Sequence, residues 1–425
     1  MKLHKIIFWL HLTAGVVAGT VILVMSVTGV LLAFERQIIA FAERDIRTVK
    51  PPVAGTPRLS LDTVVVKARN TVREGAPLAV TLAADPTTAA MINLGREQTV
   101  FVDPYTGAVR GNGATATRRF FHAVTDWHRW LGTHGDSRAI GRAVTGASNA
   151  AFTGLVISGF YLWWPRRWTR LALNAVTIPR LTLHGKPRDW NWHNAIGFWS
   201  APILLCMTVT GLVISYQWAG NLIYALTGSE PPPQRPVVGP AAVGNAPDAR
   251  AERQLQVIGA GHTAQQRRSG DVAESASALA HAPLDALFTM AEQQAPRWRL
   301  MTIRLPQRGA SQATVMIEEA ESLHPYPRSV LTLDATSAGV VKWEPFASYN
   351  LGRTIRFWIR PVHTGEAGGL IGQVIVALAS AGGAVLVYTG LALAWRRFWQ
   401  FVRRHRRASA AAPDKSRDIV QSHVS

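Results

Sequence analysis

Histidine is the residue type whose placement in this chain points to chemistry. His11 is the one ionisable side chain in the apolar stretch FWLHLTAGVVAGTVILVMSVTGVLLAF, residues 8–34. His193 takes the same place in NWHNAIGFWSAPILLCMTVTGLVISYQ, residues 191–217. Each is followed 17 residues later by a Thr-Gly pair, Thr28-Gly29 and Thr210-Gly211, with Val27 and Val209 just before. An ionisable group at membrane depth is costly, so it is by default a functional hypothesis. One histidine near a span end is most simply an interfacial hydrogen-bonding group. Two at matching positions are better read as a pair facing each other across a helix bundle, the kind of place where bundles hold metals and cofactors. Paired imidazoles are axial ligands of low-spin b-type haem, and Ala14, Gly15, Gly19 and Gly197 would leave room for a porphyrin. Zinc takes four protein ligands, or three and a water, and no third ligand type lies at this depth.

A second set of histidines sits further along the chain. His128 lies in DWHRWLG and His363 in RPVHTGE, each at the exit of an aromatic–basic stretch. His134, in GTHGD, competes with His128. It stands 7 residues before Gly141, against 9 from His363 to Gly372, so a gap count favours His134. His122, His128 and His134 are six residues apart and cannot share one helix face. Arg129, Arg356 and Arg360 are near enough in sequence to cap haem propionates, although arginines beside lipid headgroups are also ordinary anchors.

The elements that must position these residues are membrane spans. Four stretches are long and apolar enough to cross a bilayer: 6–36, 139–164, 191–218 and 369–395. The second and fourth are rich in small residues, which suits close helix packing in lipid, and both end in a Trp followed by arginines. The net charge of +19 would suit nucleic acid were it not so placed. Residues 1–5, the loop 165–190 and the tail 396–425 carry +2, +5 and +6, whereas the two long segments 35–138 and 219–368 carry only +4 and +1. Arginine-rich flanks beside spans follow the positive-inside rule. Both termini and the middle loop are therefore expected in the cytoplasm and both long segments outside, in contact with a lipid bilayer and with no nucleic acid needed. The N-terminal stretch is too long for a signal peptide and has no small-residue cleavage site. Cys206 is the only cysteine, which removes disulfides, iron–sulfur ligation and thiolate zinc within one chain.

Each long segment reads as a small α+β unit. In the first, 58–112, a helix over 59–72 precedes strands near 78–82, 89–94 and 99–102, with a turn at Asp103-Pro104-Tyr105-Thr106-Gly107. An aromatic–basic stretch, 117–134, is suited to a membrane surface. In the second, a Pro-, Ala- and Gly-rich linker over 229–282 precedes the unit 283–345, with a helix over 284–294 and strands near 300–305, 313–318 and 330–333. A turn at Asp334 resembles the one at Asp103, and Glu318, Glu319 and Glu321 read as a solvated strand edge. Residues 354–363 repeat the interfacial stretch. The fold class is a membrane α-helical protein: four transmembrane helices as a duplicated two-helix unit, with two external α+β domains. No GxGxxG between strand and helix, no phosphate loop and no HExxH is present, so no dinucleotide, ATP or zinc-protease site is evident.

The motifs WLHLTAG, WHRWLG, GFYLWWPRR, WHNAIGFW and VHTGEAGGLIGQ, with FVDPYTGAV and LTLDATSAGVV, resemble the PepSY-associated transmembrane family over almost the full length. That family includes iron-regulated inner-membrane proteins and ferric-siderophore reductases. The resemblance implies two PepSY-like external domains, two b-type haems, and His11, His128, His193 and His363 as haem ligands, with His128 preferred over His134 because WHRWL matches the motif. It implies electron transfer to a ferric siderophore in the periplasm. The electrons would come from membrane quinol or a cytoplasmic reductase, because no flavin or nicotinamide motif is present. The other reading that the family allows is a non-enzymatic membrane sensor or peptidase-regulating protein whose PepSY modules bind a partner.

Overall fold

The computed structural model describes residues 2–51, 53, 55–71, 78–94, 98–164, 169–232, 282–305, 311–320 and 324–410. Most of the 229–282 linker, Arg166, Arg167, Glu321 and the end of the basic tail lie outside them. Among the described residues, four helices are long and apolar enough to cross a membrane: Leu3–Leu32, Gly135–Trp163, Gly185–Ser215 and Glu366–Arg406. The chain divides into two compact units. One takes Met1–Val30, Trp127–Val209 and Ile375–Ser425, and the other Leu31–Asp126 and Thr210–Val374.

The first, the membrane unit, holds most of all four spans. Its second span buries the small and polar side of the helix, including Gly141, Thr145, Gly146, Ser148 and Asn149. Small residues let backbones approach, which supplies the packing that the hydrophobic effect cannot supply between helices in lipid. A Cβ on Gly382 would lie 2.7 Å from Ser200 Oγ, and one on Gly383 would lie 2.9 Å from Ser26 Oγ. Asn149 Nδ2 donates to the Thr208 carbonyl at 2.9 Å, so this buried amide does not go unpaired. Val156, Leu204 and Ala379 form the apolar centre. Asp189, fully buried, meets Arg188 at 2.8 Å and Arg396 at 3.1 Å, tying the start of the third span to the end of the fourth.

Helix limits differ from the hydropathy limits where a helix outlasts its apolar run. The third helix begins at Gly185 and the fourth runs from Gly369 to Ala410, well into the basic tail. The expected interfacial helix over 117–134 occupies Thr115–Trp130. It stops because Leu131 and Gly132 turn left-handed, at φ 53° and 70°. Only glycine fits at 132, where a Cβ would meet the Trp127 ring at 3.0 Å. His134 therefore falls beyond the helix, exposed at the start of a short 3₁₀ turn.

The second, the sheet unit, holds eight strands among the described residues: β1 Ala79–Ala83, β2 Ala90–Asn93, β3 Thr99–Val102, β4 Val109–Asn112, β5 Trp298–Arg304, β6 Gln312–Glu319, β7 Arg328–Asp334 and β8 Val340–Glu344. They form one antiparallel sheet in the order β4-β3-β2-β1-β5-β6-β7-β8. The two stretches read as separate α+β units thus share a sheet, joined where β1 pairs with β5 from Ala79↔Arg304 to Ala83↔Leu300. Helices Leu61–Thr71 and Leu284–Gln294 pack on it, and their leucines, valines and alanines fill its core with Val80, Ile92, Met301, Ile303, Ile317 and Leu331. Each helix also caps the other: Leu61 N–H donates to Asp285 Oδ1 at 3.0 Å and Leu284 N–H to Asp62 Oδ2 at 2.9 Å. A carboxylate there satisfies an orphan amide and faces the positive end of the helix dipole. The Asp103 and Asp334 turns match as expected, each carboxylate accepting two backbone N–H groups further along its turn. The expected strand edge at Glu318 and Glu319 is interior instead, because β7 and β8 continue the sheet. Glu318 meets Arg299 at 3.1 Å and Arg328 at 3.6 Å.

Candidate functional site

His11 and His193 come together within the membrane unit. Their ring centres are 6.4 Å apart and the ring planes cross at 83°. Both rings line a cavity of about 520 Å³ whose other walls are mainly glycine, leucine, valine and aromatic side chains from all four spans. The helices put them there by simple periodicity, since Gly15 and Gly19 follow His11, and Gly197 follows His193, at the spacing of one helix face. His4, Lys186 and Arg397 also line the cavity. They stand seven residues from His11, His193 and Gly390 respectively, two helical turns or about 10 Å along each axis. The cavity is therefore apolar in its middle with a basic margin.

What holds the imidazoles is not legible from the histidines alone. His11 Nδ1 pairs with Ser158 Oγ of the second span at 2.9 Å, and His193 Nδ1 pairs with Thr389 Oγ1 of the fourth at 3.0 Å. The next residue in each case is a glycine, and a Cβ on Gly159 or Gly390 would sit 3.3 Å from the Cε1 of His11 or His193. A hydroxyl holds the ring and a glycine gives it room.

The same pairing recurs at the other two histidines. His128, on the last turn of helix Thr115–Trp130, has Nδ1 2.8 Å from Thr28 Oγ1, with Gly29 beside its Cε1. His363, near the end of helix Leu351–Thr364, has Nδ1 3.0 Å from Thr210 Oγ1. The Thr-Gly pairs that mark matching positions in the sequence are thus partners of histidines. Thr28 lies 17 residues beyond His11, about 25 Å along the first helix. Ser158 and Thr389 gave no comparable signal, since one hydroxyl in an apolar span carries no periodicity. Of the arginines considered as carboxylate caps, Arg129 stacks on Trp130 at 4.7 Å and Arg356 is buried against Gly220. Arg360 is exposed.

Among the described residues, no group of three or more His, Cys, Asp or Glu side chains could hold a metal ion. The His11–His193 arrangement is a two-imidazole site in an apolar slot. Two imidazoles alone would leave most of a metal ion's coordination to be supplied from elsewhere.

The chain matches the family described as the PepSY-associated TM region over residues 8–397, and it belongs to that family. No curated protein matches it significantly.

Proposed function

We propose that this member of the PepSY-associated TM family is a bacterial inner-membrane b-type haem protein that passes electrons to a ferric siderophore on the periplasmic side, releasing Fe(II). The observation that carries the proposal is the His11–His193 pair. Their ring centres stand 6.4 Å apart, near enough that both imidazoles could hold one metal ion at bond lengths of about 2.0–2.1 Å. The residues fit haem b: two neighbouring imidazoles on one cavity, apolar walls to exclude water, and Lys186, Arg397 and His4 at the margin to take carboxylates. When bound, haem supplies a reversible one-electron carrier whose potential the protein tunes through ligands, hydrogen bonds and burial. The chain's own part is to aim the imidazoles, keep the slot dry and balance the propionate charge.

His128 and His363 are proposed as further haem ligands, each on the strength of its own threonine partner. Two haems suit a path across about 30 Å of hydrocarbon better than one. Electrons would arrive from membrane quinol or a cytoplasmic reductase, one for each ferric ion reduced. Reduction to Fe(II) weakens binding by hard oxygen ligands and so frees the metal. The arginine distribution supports a topology with both termini cytoplasmic and the β-sheet in the periplasm. The reciprocal helix caps, the matched aspartate turns and the repeated histidine–hydroxyl pairs support descent from a duplicated two-helix unit carrying a PepSY-like module.

Membranes holding the dithionite-reduced protein are expected to reoxidise when a membrane-impermeant ferric siderophore is added outside. His363→Ala is expected to abolish this while haem stays at His11 and His193; unchanged reoxidation would remove His363 from the path. A periplasm-active reporter fused after Pro104 or Pro345 should be active, and one fused after Pro179 inactive. The reverse pattern would place the sheet on the wrong side for this substrate.

A further inference from the structure

We infer that Ser158 and Thr389 are positioning residues that lock His11 and His193 in the tautomer with hydrogen on Nδ1, leaving the Nε2 lone pair for a metal. This deepens the haem reading and rests on it only for its effect on potential. A hydroxyl has one hydrogen to donate. Ser158 Oγ donates it to the Gly154 carbonyl at 2.6 Å, and Thr389 Oγ1 to the Val385 carbonyl at 2.7 Å, four residues back in each helix. With that hydrogen committed, the oxygen can meet an imidazole nitrogen at 2.9 or 3.0 Å only as an acceptor. Nδ1 must therefore be the N–H, and in a neutral ring Nε2 then carries the lone pair. Thr28 repeats the arrangement at His128, donating to the Val24 carbonyl at 2.6 Å while standing 2.8 Å from Nδ1.

The donor chain runs carbonyl, hydroxyl, imidazole, and the helix itself supplies its fixed end. Metal-bound histidines generally have the second nitrogen anchored in this way, which fixes the ring and raises its basicity. A more basic imidazole favours the oxidised, more positively charged iron. Loss of the hydroxyl should therefore raise the potential. Gly159 and Gly390 complete the device, since a side chain there would push the ring off the hydroxyl.

The test uses the full-length protein carrying haem, with Ser158→Ala and Thr389→Ala and the conservative Ser158→Thr and Thr389→Ser. In redox titrations each Ala variant should favour the reduced form of the haem at this site by up to about tenfold, a rise of about 59 mV for one electron. The conservative variants should return the potential towards wild type. In ¹⁵N-histidine NMR of the haem-free protein, His11 and His193 should show hydrogen on Nδ1, and each Ala variant should release its own histidine to a mixture. Wild-type rings with hydrogen on Nε2, or Ala variants that leave tautomer and potential unchanged, would overturn the inference. A wild-type protein that binds no haem overturns the proposed function instead, and the NMR result still decides the tautomer.

Discussion

His193 is half-buried and His324 is buried, both are hydrogen-bonded, and the roles proposed for them differ. His324, in the sheet unit, uses both nitrogens on backbone: Nδ1 accepts from Tyr326 N–H at 3.0 Å and Nε2 donates to the Phe357 carbonyl at 3.4 Å. Its ring packs among Phe346, Phe357 and Trp358. Glu43 is satisfied as fully, its carboxylate taken by Arg118 at 2.7 and 2.9 Å, Arg47 at 2.6 Å and the Ala114 N–H at 3.0 Å. His11 and His193 each have Nδ1 anchored by a hydroxyl, His193 also hydrogen-bonds the Leu386 backbone, and both stand on the wall of an apolar cavity. Burial alone does not set a structural histidine apart from a proposed ligand; the use that each nitrogen finds is the criterion to test.

The sharpest way to break this comparison is to exchange the outcomes. His193→Ala should remove the haem of the His11–His193 site and roughly halve haem per protein, read by pyridine haemochrome against protein mass. His324→Ala should leave that ratio unchanged. If His324→Ala loses haem and His193→Ala does not, the hydrogen-bond criterion is wrong.

The next effect is on stability. Glu43→Gln leaves the partly exposed Arg47 and Arg118 without their buried counter-charge, a loss of charge-assisted hydrogen bonding that costs about 1.5–3 kcal/mol, and the sheet unit should unfold at correspondingly lower denaturant. Burial raises the Glu43 pKa, but the hydrogen bonds and charges of Arg118 and Arg47 outweigh it and hold the group below its ordinary 4.5. The stability this contributes is present above that value and is lost as pH falls below it. The Gln variant should therefore show a flatter acid limb.

Smaller again is the effect of the glycines. Gly390→Val should weaken haem retention about tenfold by crowding the His193 ring. Gly154→Ala, facing open space in the second span, should leave retention unchanged. Equal losses would mean that glycine in these helices serves packing in general and not the imidazole.

The smallest expected effect is a pH dependence at His324. Burial pushes its pKa below the ordinary 6.5. The unfolded chain therefore binds a proton that the folded one refuses, and stability should decline as pH drops below about 6.5. Replacing His324 with Phe should remove that portion of the pH dependence, measured by urea unfolding of the full chain at pH 7.5 and 5.5.

Much of this was legible in the sequence because it rests on local pattern. Hydropathy located four spans, helical periodicity located Leu284–Gln294, and equal spacing to Thr28 and Thr210 singled out His11 and His193. Strands β4 and β8 were missed. The first, VRGN, has no alternating apolar run, and the second has three exposed residues in five, as sheet edges commonly do. The joining of β1 to β5 was not readable, since the two strands are more than 200 residues apart and either could have ended its own sheet. At the site, the ligand candidates were visible and their anchors were not. Which hydroxyl meets which ring depends on how helices face each other, and a serine such as Ser158 looks like any small residue until the second span is packed.

The central claim is that His11 and His193 together hold a haem, and low-temperature electron paramagnetic resonance of the oxidised full-length protein tests it most directly. The account predicts a low-spin, bis-imidazole ferric signal of the kind given by crossed ring planes, lost in both His11→Ala and His193→Ala. A protein that stays colourless after expression with ample haem, or a signal that survives both substitutions, would contradict it.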